Sequence, residues 1–170
     1  MALSTYAKDI KFTKQGQGKG SCIQKGREGW VEIIAVNHCI KSPRDTASGQ
    51  ATGKRQHCPI RIRMPYDMAL PQFYQALCNN EAIQELTLAF FSPNKLGTAG
   101  GQGVEMLTYE LKLTNAFVSQ VEFEMLNNRN PELTRYENMY VVEMVYQAVQ
   151  GTWKIGNKVW SDDWLSPVQG

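Results

Sequence analysis

The stretch M-L-T-Y-E-L-K-L-T-N-A-F-V-S-Q-V-E-F-E at residues 106–124 decides the fold class. Leu107, Tyr109, Leu111 and Leu113 alternate with Met106, Thr108, Glu110 and Lys112. Successive side chains of an extended chain point to opposite faces, so this period of two predicts a strand. Thr114-Asn115 then supplies turn-favouring residues, and 116–124 resumes as a second strand. The same alternation recurs upstream. Cys58, Ile60, Ile62 and Met64 alternate with Pro59, Arg61 and Arg63, as Leu86, Leu88 and Phe90 do with Glu85, Thr87 and Ala89. Two runs, 30–40 and 139–149, are apolar on both faces. In an antiparallel protein such runs imply a barrel wall whose outer side is covered too, by a helix or by another subunit.

One segment departs from this period. Leu70, Phe73, Tyr74 and Leu77 fall at i, i+3, i+4 and i+7, one stripe of a helix. Pro71 suits the first turn, where its missing N–H costs nothing. Asn79-Asn80 can end the helix, because Asn tolerates the left-handed conformation. Leu70 is a poor cap, and Asp67 is the nearest residue able to cap the start.

Three stretches read as connections. Residues 15–29 are rich in Gly and Lys, and 92–103 are rich in Gly and expected to join two strands. The third, 41–57, reads K-S-P-R-D-T-A-S-G-Q-A-T-G-K-R-Q-H. Seventeen residues with almost no apolar side chain are long for a connection in a compact domain. Such a segment lacks the apolar groups to pack as a unit of its own, so it is expected to reach a neighbour. Lys41, Pro43, Arg44, Asp45, Lys54 and Arg55 are its candidate contact residues. The tail beyond Gly156 carries Trp160 and Trp164 and is expected to pack. No linker divides the chain, so 170 residues are read as one domain, with 156–170 as a packed tail.

Composition narrows the function classes. No apolar run approaches the roughly 20 residues of a membrane span. Lys8, Asp9 and Lys11 stand where a secretory signal needs an apolar core, so export is expected by another route. Cys22, Cys39, Cys58 and Cys78 show no C-x-x-C spacing and read as reduced thiols. Residues 1–63 carry a net charge of +8 and 64–170 a net of −6. A basic and an acidic surface could join copies head to tail. A total of +2 falls short of a nucleic-acid footprint.

Catalytic and metal motifs fail on geometry. His38-Cys39 and His57-Cys58 offer zinc-type donors, but adjacent strand residues face opposite ways, so at most one of each pair can share a metal. Gly16, Gly18 and Gly20 fit no phosphate-binding pattern. No nucleophile elbow occurs. Asp162-Asp163 reads as a solvated acidic turn. No enzyme activity, cofactor or metal is expected.

The order of words along the chain is more informative. N-H-C-I-K-S-P (37–43), a long polar connection, H-C-P-I-R-I (57–62) and a proline-started helix ending A-L-C-N-N follow in turn. E-L-T-L-A-F-F (85–91), a Gly-rich turn and Y-E-L-K-L-T-N-A-F-V-S-Q-V (109–121) complete the set. This order resembles the Hcp family of bacterial type VI secretion across residues 5–155, and S-D-D-W (161–164) is similar to the tail of longer members. Ala69-Leu70 replaces the family's usual Ser pair, which bears on the helix cap. Ser92-Pro93 stands where an Arg is usual.

The resemblance implies a β-barrel of two antiparallel sheets with one flanking helix and an extended loop at 41–57 that touches an adjacent subunit or ring. It implies hexameric rings stacked into a tube within a contractile sheath, tipped by a spike protein and able to carry effector proteins in the lumen. It also implies assembly in the bacterial cytoplasm before secretion. Two other classes fit the residues alone: a phage or phage-like tail-tube protein, and a β-barrel enzyme or small-ligand carrier, which would need a pocket of convergent polar groups.

Overall fold

The computed structural model describes residues 3–93 and 105–166. The Gly-rich connection expected at 92–103 lies, beyond Pro93, outside the described residues. The first half of the chain holds β1 (Thr5–Phe12), β2 (Gly16–Gln17), β3 (Val31–Glu32), β4 (Ala35–Asn37), β5 (Ile40–Lys41), β6 (Gln56–His57) and β7 (Ile60–Pro65). Helix α1 (Leu70–Cys78) follows, then the long strands β8 (Ala82–Pro93), β9 (Glu105–Glu124) and β10 (Met139–Trp153), and finally β11 (Lys158–Asp163). One antiparallel sheet runs β2-β1-β8-β9-β10-β7-β4, with β3 beside β1 and β11 beside β10. β5 and β6 form a separate two-stranded ribbon. The fold is thus mainly β, with two antiparallel sheets and one helix.

The run 30–40 is not the single two-sided strand that its composition suggested. It is β3, β4 and β5, broken where the chain changes partners. Ile33 donates its N–H to Thr5 O at 2.9 Å on the β1 edge, and Ile34 donates to Arg63 O at 2.8 Å on the β7 edge. Segment 31–37 therefore crosses between the two edges and brings the wall round on itself. β1 and β7 share no ladder of their own, so the expected barrel is not a closed hydrogen-bonded cylinder.

The alternation in β7 holds: Ile60, Ile62 and Met64 are buried and Arg61 is exposed. In β9 the Thr114-Asn115 pair does not make a turn. The strand continues for 20 residues because β8 pairs along one edge and β10 along the other. A chain paired on both sides cannot reverse without leaving backbone groups unpaired. Asn115 instead adopts φ 49°, and its side chain donates to Gln147 Oε1 at 2.9 Å. The register is kept across it, yet the buried face switches. Leu111 and Leu113 face the core before it, Ala116 and Val118 after it. The neighbours switch at the same level, from Leu86 to Ile83 in β8 and from Val149 to Tyr146 in β10. β1 does so at Asp9, φ 53°, between Ala7 and Ile10. Asp and Asn are the side chains that tolerate this left-handed geometry best. The sheet turns a corner here. A second irregularity lies opposite Glu143, where the extra residue Ser119 donates to Glu143 O at 3.1 Å.

Helix α1 packs against β9 and sends Phe73, fully buried, into the core. Its ring meets Phe12 at 5.8 Å and Tyr140 at 6.4 Å between centroids. Ala69 at the cap position is small and buried, and Asp67 holds the start by accepting the Ala69 N–H at 2.9 Å. The same carboxylate accepts Ser21 N–H at 2.8 Å, which ties down the Gly-Lys connection. Asn80, φ 49°, ends the helix as its residue type predicts.

Part of the uneven charge is neutralised inside the chain. Lys8 pairs with Glu110 at 2.6 Å, Lys11 with Glu85 at 2.7 Å and Arg27 with Glu105 at 2.8 Å. Arg61 reaches Glu122 and Glu143. Among the described residues, most ion pairs join the basic first part to the acidic second part. They also cover the outer face of β8, where Thr87 and Ala89 are buried.

Phe73→Ala would leave a cavity where helix, β1 and β10 meet. It should cost about 3–5 kcal/mol in urea unfolding, with an unchanged m-value.

Candidate functional site

Residues 41–57 form a hairpin arm rather than an open loop. Ile40 pairs with His57 and Lys41 with Gln56, and an isolated bridge joins Arg44 to Ala51. Thr52 donates to Pro43 O at 3.0 Å and Asp45 to Gln50 O at 2.9 Å. The Asp45 carboxylate closes the tip by accepting Ala47 N–H at 3.2 Å and Ser48 N–H at 3.1 Å. The Ser48 hydroxyl and these amides hold its pKa below the usual carboxylate range. Backbone pairing thus supplies the order that apolar side chains could not. Lys41, Arg44 and Lys54 are exposed and make no ion pair among the described residues.

Arg55 differs from the other arm residues. It turns back to pair with Asp162 and donates to Asp163 O at 2.7 Å, fastening the arm to β11. Around it lies a cluster that the sequence reading did not assemble. His57 Nε2 lies 2.7 Å from Asp162 Oδ2, and His57 Nδ1 lies 3.1 Å from Tyr146 Oη. His38 Nε2 approaches the same hydroxyl at 2.6 Å. With both imidazoles neutral, one arrangement fills every bond. His38 donates to Tyr146, Tyr146 to His57, and His57 to Asp162. Trp164 stacks on His57 at 5.9 Å and Trp160 on His38 at 6.3 Å. Trp160 Nε1 donates to Tyr109 Oη at 3.0 Å above Gly151, where a Cβ would lie 2.1 Å from the indole nitrogen.

The available signal was a histidine at each end of the polar connection and a tail carrying Trp and Asp. Residues 158–163 pair with β10 as β11, and Asp162 is a clamp there, not part of a solvated turn. The two His share one face, whereas Cys39 and Cys58 occupy the neighbouring opposed positions. Among the described residues, no group of three or more His, Cys, Asp or Glu could hold a metal ion.

The surroundings favour the neutral form of His38 and the charged form of Asp162. Burial, with the charge of His57, lowers the His38 pKa. Burial pushes Asp162 upward, but hydrogen bonds from Arg55 and His57 outweigh it and keep its pKa low. Burial pushes the Tyr146 hydroxyl up to about 12, so it stays protonated as a relay between the rings.

The geometry of arm, clamp and cornered sheet can be set beside known proteins. The chain matches the family described as "Type VI secretion system effector, Hcp" over residues 7–153. It belongs to the Hcp family. Other Hcp-like similarities run along most or all of the chain. The major exported protein of Pseudomonas aeruginosa is 29% identical over all of both chains. The crystal structure of an Hcp protein superposes with a TM-score of 0.85 at 24% identity, covering 98% of this chain and all of that one. Hcp1 of Escherichia coli EAEC 042 gives 0.80 at 26% identity, covering 96% and 99%.

The clamp's pH dependence has a definite sign. A His whose folded pKa is lowered contributes stability above its ordinary pKa of about 6.5, lost as pH falls toward the folded value. The Asp162 contribution is lost only at lower pH, through the carboxylate range. From pH 7.5 to 5.5, the amide protection factors in 158–166, corrected for the pH dependence of intrinsic exchange, should fall, and His38→Gln should remove most of that change. Tyr146→Phe leaves the buried His57 and the half-buried His38 short of a partner and should cost about 1–3 kcal/mol in urea unfolding.

Proposed function

We propose that this Hcp-family chain is a subunit of the inner tube of type VI secretion, folded as one domain, without enzyme activity or cofactor. Hexameric rings stack into a tube that is propelled into target cells with effector proteins in its lumen. A contractile sheath surrounds the tube and a spike protein tips it. Assembly belongs to the bacterial cytoplasm and secretion follows. The observation that carries this reading is the family match over residues 7–153, most of the sheet included. The name of the Pseudomonas aeruginosa relative supports export. No helix among the described residues is long and apolar enough to cross a membrane.

Within that assembly the arm is the contact element, through Lys41, Pro43, Arg44, Asp45 and Lys54, with Arg55 anchoring its base. Two features support it. The hydrogen bonds of residues 42–54 stay inside the arm, so it spends no polar group on its own body. It also carries exposed cations, Lys41, Arg44 and Lys54, that make no ion pair among the described residues. Exposed large apolar residues such as Phe117, Phe123 and Trp153 supply surface for side-by-side packing around a ring.

Light scattering of the purified protein should give about 115 kDa for a closed ring of six. A stable monomer at micromolar concentration would overturn the reading. Replacing 43–54 by Asn-Gly, with Arg55 kept, should leave a folded sheet with damaged rings or tubes. Normal tubes from that variant would remove the arm from the contact.

A further inference from the structure

The ribbon at the base of the arm places two cysteines opposite each other. Ile40 pairs with His57, so one step outward Cys39 stands across from Cys58. Cys58 donates its N–H to Cys39 O at 3.0 Å, which fixes this as a hydrogen-bonded position of the ladder. Such positions hold Cα atoms about 5.5 Å apart, inside the roughly 4.4–6.8 Å that a disulfide spans. Both residues are partly exposed and both are free thiols, so a small reagent can reach them. We propose that Cys39 and Cys58 are a redox-sensitive pair that closes into an intrachain disulfide at the base of the arm when the protein meets an oxidising medium.

The chemistry needs only a low-molecular-weight disulfide, RSSR. One thiolate attacks it, forming a mixed disulfide and expelling RS⁻. The second cysteine, deprotonated, attacks the bound protein sulfur and expels the other RS⁻. Two protein thiols are oxidised and RSSR is reduced to two RSH. The Cys58 thiol beside it holds the Cys39 pKa up, and either thiol can make the first attack once deprotonated. The other two cysteines lack this arrangement: Cys78 is exposed at the end of α1, and Cys22 lies in the Gly-Lys connection.

The consequence is mechanical. Residues 40–57 become a covalent loop whose base is already held by Arg55 and the histidine clamp. In a reducing medium the pair stays open, in keeping with the sequence expectation of thiols. Closure would follow transfer to an oxidising one.

The test uses the full chain carrying Cys22→Ser and Cys78→Ser, incubated with oxidised glutathione and then alkylated. The expected result is a mass 2 Da lower with no alkylation, and a tryptic species joining 28–41 to 56–61 that dithiothreitol separates. The oxidised form should melt about 5 °C or more above the reduced form, from loop closure in the unfolded chain. Two alkylated thiols, a stable glutathione adduct or disulfide-linked dimers would each overturn the proposal. Cys39→Ser must retain one glutathione and show no melting gain. A gain of the same size in that variant would also overturn it. None of these readouts depends on ring assembly, so a failure here is separable from a failure of the tube reading.

Discussion

Strand β9 is hydrogen-bonded along both edges, and the rest of the molecule is arranged around that fact. Residues 109–117 have β8 on one side and β10 on the other, β8 continues alone to 105 and β10 alone to 124. A strand this long would twist apart from its neighbours or overrun the core if it stayed straight. The corner at Asp9 and Asn115 resolves this by switching the buried face in adjoining strands at one level. Each of those residues adopts a backbone geometry that Asp and Asn reach at low cost. The core then lies inside the bend, with Leu111 and Leu113 lining one arm of it and Ala116 and Val118 the other. Helix α1 fills the space against β9 with Phe73.

What could be read from the sequence was whatever depends on local periodicity. The inward set of β7, the helical stripe around Phe73 and the stop at Asn80 follow from spacing and residue type alone. Thr114-Asn115 was misread because a turn and a corner ask the same thing of the backbone. Only the partners on both sides distinguish them, and these lie tens of residues away. The run 30–40 failed for a related reason. Its two-sided apolar character is real, but it reflects a segment that passes between two sheet edges instead of one strand covered on both sides. The arm was legible as an element and not as a structure, because backbone pairing orders it and side-chain composition does not report that.

The charge division shows how a sequence property can point to the wrong scale. An excess of cations in the first 63 residues and of anions beyond them suggested surfaces meeting between copies. The topology instead brings β1 and β7 within reach of carboxylates on β8 and β9 of the same chain. Lys8, Arg27, Arg61 and Arg63 pair with Glu110, Glu105, Glu122 and Glu124 of β9, and Lys11 pairs with Glu85 of β8. Exposed pairs of this kind contribute little to stability. Their larger effect is to shield apolar groups such as Val141, which sits between Arg63 and Glu122 on the outer face.

The arm's base joins elements far apart in sequence, and this makes its state depend on the tail. Arg55 and His57 both bind Asp162, while Tyr146 of β10 holds both imidazoles. Removing the tail strand would leave a buried histidine without its carboxylate and an arginine without its partner. An unpaired buried polar group costs more than the net worth of the bond it has lost. The tail is thus coupled to the arm through desolvation, without needing any direct contact with residues 42–54. Acidification works on the same element from the side of His38, and oxidation of Cys39 and Cys58 works on it from the opposite face of the ribbon. One loosens the base and the other ties it, so the arm's stiffness is set locally while the cornered sheet that carries it stays unchanged.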